Sequence, residues 1–421
     1  MVLHHSPARR RTRAAVIAAA TTLGLLLAGC GGSGFDDTGG AASPDGGSGA
    51  KELQVLIGSS GQAETTAVTQ AAQAWGTSAG TEVSVTAASD LNQQLSQGFA
   101  SSQPPDVFYV GSDVVASYAA NGSLAAYGAD LPGSDDFYPN LRSAFTVDGT
   151  FYCAPKDFST LALIVDEKAW TAAGLTDADV PTTWDQLATV AGRLTSGDRT
   201  GLVTSSEYQR LGAFMAEAGG SLVTDGKATA DSAQNVEALR YVKSLLSAGS
   251  MKFAADVGAG DGTEALGTGK AAMTIEGNWA VGGIASSYPD LQYRVLELPA
   301  GPAGKGTLSF TNCWGIAADS KAQDQAEALV ASLTSTDQQL AFTEAFGVMP
   351  SVASAADGFR QQFPAQAAFL AGADYAKTVP NEAGVSDVVK DLNAQLEGLA
   401  AGDPAEILGS TQTNLEAALK G

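Results

Sequence analysis

From residue 53 onward the chain alternates between strand and helix patterns, and this alternation narrows the available folds more than any other feature. Leu53-Gln54-Val55-Leu56-Ile57 is a short apolar run. Val68, Ala71, Ala72 and Trp75 then recur at helical spacing before Val83-Ser84-Val85, a second strand-like run. Strand, helix and strand in succession imply a crossover, which sets the two strands parallel. Asp90 is placed to cap a helix with Leu91, Leu95 and Phe99 on one face; Pro104-Pro105 stops it, and Val107-Phe108-Tyr109-Val110 supplies another strand. Thr183 and Gln186 have capping-box spacing, and Val236, Leu239, Val242 and Leu246 mark a buried helical stripe. Near the carboxyl end Val389, Leu392, Leu396 and Leu399 form another stripe, and Asp403-Pro404 opens a last helix with Ile407, Leu408, Leu415 and Leu419. No strand pattern follows Pro350. The expected class is α/β, and about 370 residues are more than one core usually serves, so two domains are expected.

The first 29 residues read as an export signal. Arg9, Arg10, Arg11 and Arg13 precede an apolar, small-residue stretch from Ala14 to Ala28. That stretch is shorter than the roughly 18 residues that a membrane-spanning helix needs. Leu27-Ala28-Gly29-Cys30 resembles the bacterial lipobox, which implies acylation of Cys30 and anchorage by more than one lipid chain. The Gly- and Ser-rich segment Gly31 to Ala50 would then be a flexible tether.

Charge and rare residues exclude several functions. The net charge is −22; four arginines and no acid leave with the signal, giving −26, which disfavours nucleic acid as a partner. The same acidity suits solubility and leaves open a cationic ligand such as a polyamine. Both histidines, His4 and His5, fall within the signal, so the exported chain has no imidazole for a triad or a metal site. Cys153 and Cys313 remain after Cys30, too few for a structural zinc site and a candidate disulfide in an oxidising compartment. No metal and no cofactor are expected.

Four motifs carry a resemblance. The first is Pro105-Asp106-Val107-Phe108 followed by Tyr118-Ala119-Ala120-Asn121-Gly122-Ser123-Leu124. The second runs from Asp148 through Cys153-Ala154-Pro155-Lys156-Asp157, continues in Leu163-Ile164-Val165-Asp166 and closes with Pro181-Thr182-Thr183-Trp184. The third is Ala272-Met273-Thr274-Ile275-Glu276-Gly277-Asn278-Trp279, with Leu298-Pro299-Ala300-Gly301-Pro302 and Trp314-Gly315-Ile316 downstream; the fourth is Gly347-Val348-Met349-Pro350-Ser351. Together they resemble the extracellular solute-binding family that serves carbohydrate ABC importers, the group that contains maltodextrin-binding proteins. Val165-Asp166 departs from the tyrosine-asparagine usual after that strand.

The resemblance implies a two-lobe, periplasmic-binding-protein-like fold of type II, with a sheet and flanking helices in each lobe and hinge strands between them. On its mapping residues 51–156 and 314–349 form one lobe, and 157–313 and 350–421 the other. It implies a monomer that binds a small sugar between the lobes and presents it to permease subunits of an ABC importer, lipid-anchored to the outer face of the cell membrane. It also sets Cys153 and Cys313 on adjacent hinge crossings, where they are expected to bond. Trp279 would be an aromatic plate for a sugar face, with Trp314 a second. Asp157, Glu276, Asn278 and Asn312 would meet hydroxyls at the sugar edge. Glu207, Tyr208 and Gln209 from the second lobe, and Ser59, Ser60, Gln62 and Asp113 at strand ends of the first, complete the candidates. Trp75, Trp170 and Trp184 follow helical spacing and are expected to pack. An extracytoplasmic glycoside hydrolase is the alternative of another class, since carboxylates abound, although no acid pair is set at a recognisable spacing.

Overall fold

The computed structural model describes residues 52–420; His4, His5, Cys30 and the expected tether lie outside them. In chain order the strands are β1 (Leu53–Ile57), β2 (Val83–Ala87), β3 (Val107–Gly111), β4 (Thr146–Val147), β5 (Thr150–Phe151), β6 (Ala154–Asp166), β7 (Thr200–Thr204), β8 (Val223–Thr224), β9 (Lys227–Ala228), β10 (Met251–Phe253), β11 (Ala271–Gly277), β12 (Tyr293–Leu296), β13 (Thr307–Ile316) and β14 (Ala376–Thr378). Two hairpins, β4–β5 and β8–β9, stand apart. The other strands form one sheet in the order β10-β7-β11-β6-β13-β3-β1-β2, with β12 also on β6 and β14 also on β13.

The expected parallel crossovers are present. β1 pairs in parallel with β2 and β3, and at the far side β7 pairs in parallel with β10 and β11. The two parallel groups meet only at β6 and β13, which run antiparallel to each other. β6 has 13 residues, the last alone not buried, and at about 3.3 Å per residue it reaches roughly 40 Å, enough to serve both groups.

Alternation along β6 divides the interior. Leu161, Leu163 and Val165 enter a core with Leu202, Leu239, Leu392 and Leu408, while Phe158, Ala162 and Ile164 enter another, on the opposite face, with Phe359 and Phe369. A separate core under β1–β3 gathers Leu53, Val68, Leu95, Phe108 and Trp314. Trp170 and Trp184 are buried and Trp75 is half-buried against the β1–β3 core, so all three pack as their helical spacing implies.

Local signals act as their chemistry requires. Asp90 accepts from the Gln93 N–H at 2.9 Å and Asp403 from the Ala405 N–H at 2.9 Å. Thr183 caps its helix, although the Gln186 side chain closes the box one residue early, accepting from the Thr182 N–H at 2.7 Å. Asp166, the departure from the usual asparagine, caps the next helix through the N–H groups of Lys168 and Ala169. The chain after Pro350 does contain a strand, contrary to the sequence reading. β14 pairs with Thr307–Ser309 of β13, but its three residues are too few for a periodicity to show.

Cys153 and Cys313 form a disulfide with Cα atoms 5.7 Å apart. Beside it the β6–β13 ladder changes register: Asn312 lies opposite Asp157, yet Cys313 lies opposite Pro155. Lys156 is therefore an extra residue, a β-bulge that turns side chains away from strict alternation.

Candidate binding site at the strand crossings

Residues opposite one another in an antiparallel pair share a face. Asp157 and Asn312 do so, and Ser159 and Phe310 continue the same face one step along. Around this face the described structure gathers two groups of polar side chains.

The first surrounds Lys156. Its ammonium donates to Glu64 Oε1 at 3.0 Å and to Asp157 Oδ2, and lies 4.6 Å from the centre of the Tyr109 ring. The Tyr109 hydroxyl donates to Glu64 Oε1 at 3.0 Å, while the Ser60 N–H and hydroxyl each donate to Oε2 at 2.7 Å. Glu64 sits in the first turn of the helix Gln62–Ala79, where the helix dipole also favours a negative charge. Burial opposes ionisation of Glu64, but Lys156 and the Ser60 bonds outweigh it and hold the carboxyl below its ordinary value. Burial raises Asp157, and the Glu64 charge raises it further against the pull of Lys156. For Lys156, burial is outweighed by Asp157 and Glu64, so the ammonium is held charged.

The second group surrounds Trp279, which opens the helix Trp279–Ser287 at the end of β11. Its indole is 43% exposed and is the exposed large apolar side chain among the described residues. A Cβ at Gly277 would overlap the ring, so glycine there lets the indole fold back over the strand end. The Trp279 N–H donates to Glu276 Oε2 at 3.1 Å, and Arg210 donates to the same oxygen from Nε at 2.9 Å and Nη2 at 2.8 Å. The guanidinium stands 5.0 Å from the indole centre and Phe310 meets it edge-on at 5.4 Å. Glu207 bridges to Arg210 at 3.3 Å. Burial raises the Glu276 carboxyl above its ordinary value even against Arg210, and its Oε1 is enclosed without a protein partner. The result is an aromatic plate with a cation over its ring and an acid at its N–H edge.

Other candidates hold the frame. Asn278 is 4% exposed; its N–H donates to Ser159 Oγ at 3.0 Å and its amide to the Gly347 carbonyl at 2.8 Å, so it ties β11 to β6 and to the chain at residue 347. Gln209 accepts from Asn393 at 3.0 Å. Ser59 closes its own turn by accepting from the Gly61 N–H, and Gln62 is exposed, bonded to Thr66. Asp113 is exposed just past β3, beside Gly111, the residue opposite Asn312.

Two candidates are corrected. Trp314 is 1% exposed, packs edge-on against Tyr109 at 4.9 Å and belongs to the β1–β3 core, so it offers no open face. Alternation along β13 keeps Trp314 on the face of Asn312; Tyr109, its partner across the β3 ladder, closes it off. Tyr208 is 2% exposed in the core shared by β7 and β11, its ring against Gly212, because helical spacing from Leu211 turns it inward. Sequence reading missed Glu64, Tyr109, Lys156, Arg210 and Phe310. An acid in the first turn and a lysine next to Asp157 were the available signals.

The model of the bacterial extracellular solute-binding proteins matches residues 70–371. The chain belongs to that family. This solute-binding protein therefore acts outside the cytoplasm, and among its described residues no helix is long and apolar enough to cross a membrane. It is 26% identical over 338 residues to the diacetylchitobiose binding protein DasA of Streptomyces coelicolor, covering 75% of this chain and 78% of that one. The fold is that of two-lobe binding proteins. It matches the cyclic α-maltosyl-1,6-maltose binding protein of Arthrobacter globiformis with a TM-score of 0.78 at 21% identity, over 88% of this chain and 100% of the other. The GacH receptor of Streptomyces glaucescens, solved with acarbose, matches with a TM-score of 0.75 at 23% identity, over 88% and 98%.

Proposed function

We propose that this solute-binding protein captures a mono- or oligosaccharide at the crossing face and presents it to the permease subunits of an ABC importer. The observation that carries the reading is the half-open indole of Trp279, set beside the Arg210–Glu276 pair at a strand end. A sugar ring has an apolar C–H face for such a plate and hydroxyls at its edge that both donate and accept. Asn312 is an edge partner on the Trp279 side, and Asp157 on the Lys156 side. The relatives named for diacetylchitobiose, cyclic maltosyl-maltose and acarbose support a saccharide.

The lobes would comprise residues 51–156 with 314–349, and 157–313 with 350–421; two of the cores fall one on each side, and a third packs Leu141 and Met349 of one against Phe359 and Phe369 of the other. Ligand held by one lobe gains further contacts when the other closes, and the closed form is what a permease would recognise. Acylation of Cys30 would keep the carrier at the membrane, as a monomer on a tether. Acidity supports a polyamine as the second reading, but Lys156 and Arg210 place cations where such a ligand's charge would sit.

Calorimetry and thermal shift on exported protein test the proposal with a panel of maltose, maltotriose, cellobiose, diacetylchitobiose and spermidine. At least one saccharide should raise the melting temperature, bind independently of salt and be recovered unchanged. Trp279→Ala should weaken it tenfold or more, about 1.4 kcal/mol, with little loss of stability. Binding of spermidine alone, displaced by salt, or cleavage of the sugar, would sink the reading.

A further inference from the structure

Arg210 is the third residue of the helix Tyr208–Glu217, in a first turn where the helix dipole disfavours a cation. Helix stability therefore does not account for it. Its side chain is 12% exposed and its nitrogens are committed, Nε and Nη2 to Glu276 Oε2 at 2.9 and 2.8 Å and Nη1 to Glu207 at 3.3 Å. Little of it is left for a solute. Besides the two acids it meets the indole of Trp279, whose ring centre lies 5.0 Å from the guanidinium carbon.

That indole is held from several sides. Its N–H shares Glu276 Oε2 with Arg210, Phe310 stands edge-on at 5.4 Å, and Gly277 leaves the space into which the ring folds back. The N–H is thus spent within the protein, so what the ring offers a solute is carbon surface. A ring that is 43% exposed gains only part of the packing that fixes a core side chain. Without its partners it would sample several rotamers, each to be given up when a sugar settled on it. A cation over an exposed ring is worth roughly a two- to fivefold bias towards one orientation, and the shared carboxylate adds to that. We propose that Arg210 is the positioning residue of the Trp279 plate: by holding the indole and Glu276 together it keeps the ring in the orientation that a sugar face meets, without touching the sugar itself. This role rests on Trp279 being such a plate.

Two measurements test it, one of them without any solute. Exported protein labelled with fluorotryptophan gives a fluorine resonance for Trp279, assigned by its loss in Trp279→Phe. In Arg210→Met that resonance should move and broaden, while those of Trp75, Trp170, Trp184 and Trp314 stay in place. Arg210→Lys, which keeps a cation, should bring it back towards the wild-type position. Because Arg210→Met strands the enclosed Glu276, the pair Arg210→Met with Glu276→Gln is measured beside it and should release the ring in the same way. Calorimetry with maltotriose then closes a double-mutant cycle: Arg210→Met should weaken binding about fivefold in the wild-type chain and less than about twofold in Trp279→Ala. The role is overturned if the Trp279 resonance is unchanged in both Met variants, if the resonances of the other four tryptophans move with it, or if Arg210→Met costs as much affinity without Trp279 as with it. Should wild type bind no maltotriose, the saccharide reading loses support, while the fluorine spectra still decide whether Arg210 holds the ring.

Discussion

Glu217 shows how a single buried acid sets a pH dependence. It is 1% exposed, accepts from the Trp184 indole N–H, and lies so close to Gly301 that a Cβ there would come within 2.8 Å of its own Cβ. Burial raises its carboxyl well above the ordinary 4.5, with only the Trp184 bond acting against it. A carboxyl raised in the folded state contributes stability that is complete below its unfolded pKa and is lost as pH rises through the folded one. Glu217→Gln keeps an oxygen for Trp184 and cannot ionise. Its melting temperature should match wild type near pH 4.5 and exceed it at pH 8; a variant less stable than wild type at pH 8 would mean that the charged form is favoured. The opposite sign holds at Glu64, whose carboxyl is depressed. Lys156→Met strands two enclosed acids and should cost about 3–5 kcal/mol at pH 7. Denaturant titration should find that deficit shrinking as pH falls and Glu64 takes up a proton. Glu64 was not legible as a partner of Lys156: it is 92 residues away, and only the fold brings the two together. Trp279, by contrast, was named from the resemblance, which implies an indole two residues after the glycine at that strand end, and it is an exposed ring after β11.

At the scale of elements, β6 and β13 decide most of the architecture, and the disulfide beside their bulge closes a loop of 160 residues. By the chain-entropy estimate such a loop is worth about 5 kcal/mol, through restriction of the unfolded chain. Cys153→Ala with Cys313→Ala should lower the unfolding free energy by up to that amount while ligand affinity changes little, since neither sulfur borders the Trp279 group; loss of affinity with stability kept would contradict this. Strong periodicity made β1–β3, the long helices and their caps readable, because burial of one face imposes it. The bulge left no such trace. Trp314 was placed near the ligand by the resemblance alone; its burial comes from Tyr109 across the β3 ladder, a pairing that periodicity does not show. β14 escaped for a related reason: its place comes from pairing with β13, not from its own three residues.

For the molecule as a whole, the parallel strand groups on either side communicate through a narrow waist. β6 and β13 cross it, and the returning chain makes a third crossing, where Phe158 and Met349 exchange backbone bonds of 3.1 and 3.3 Å. Strand groups joined by two strands and one return segment can rotate with dihedral changes confined to the crossings. Asn278 spans that waist, binding Ser159 from β11 and the Gly347 carbonyl beside the third crossing. A ligand that touches both the Lys156 and Trp279 groups binds the closed arrangement better, and its differential affinity moves the population. Small-angle scattering is the direct measure. A compact chain of this size has a radius of gyration of about 21 Å, and a saturating saccharide should lower it, whereas Trp279→Ala at the same ligand concentration should keep the larger value. If the radius stays fixed under a ligand that calorimetry shows to be bound, the waist is rigid and capture proceeds without closure.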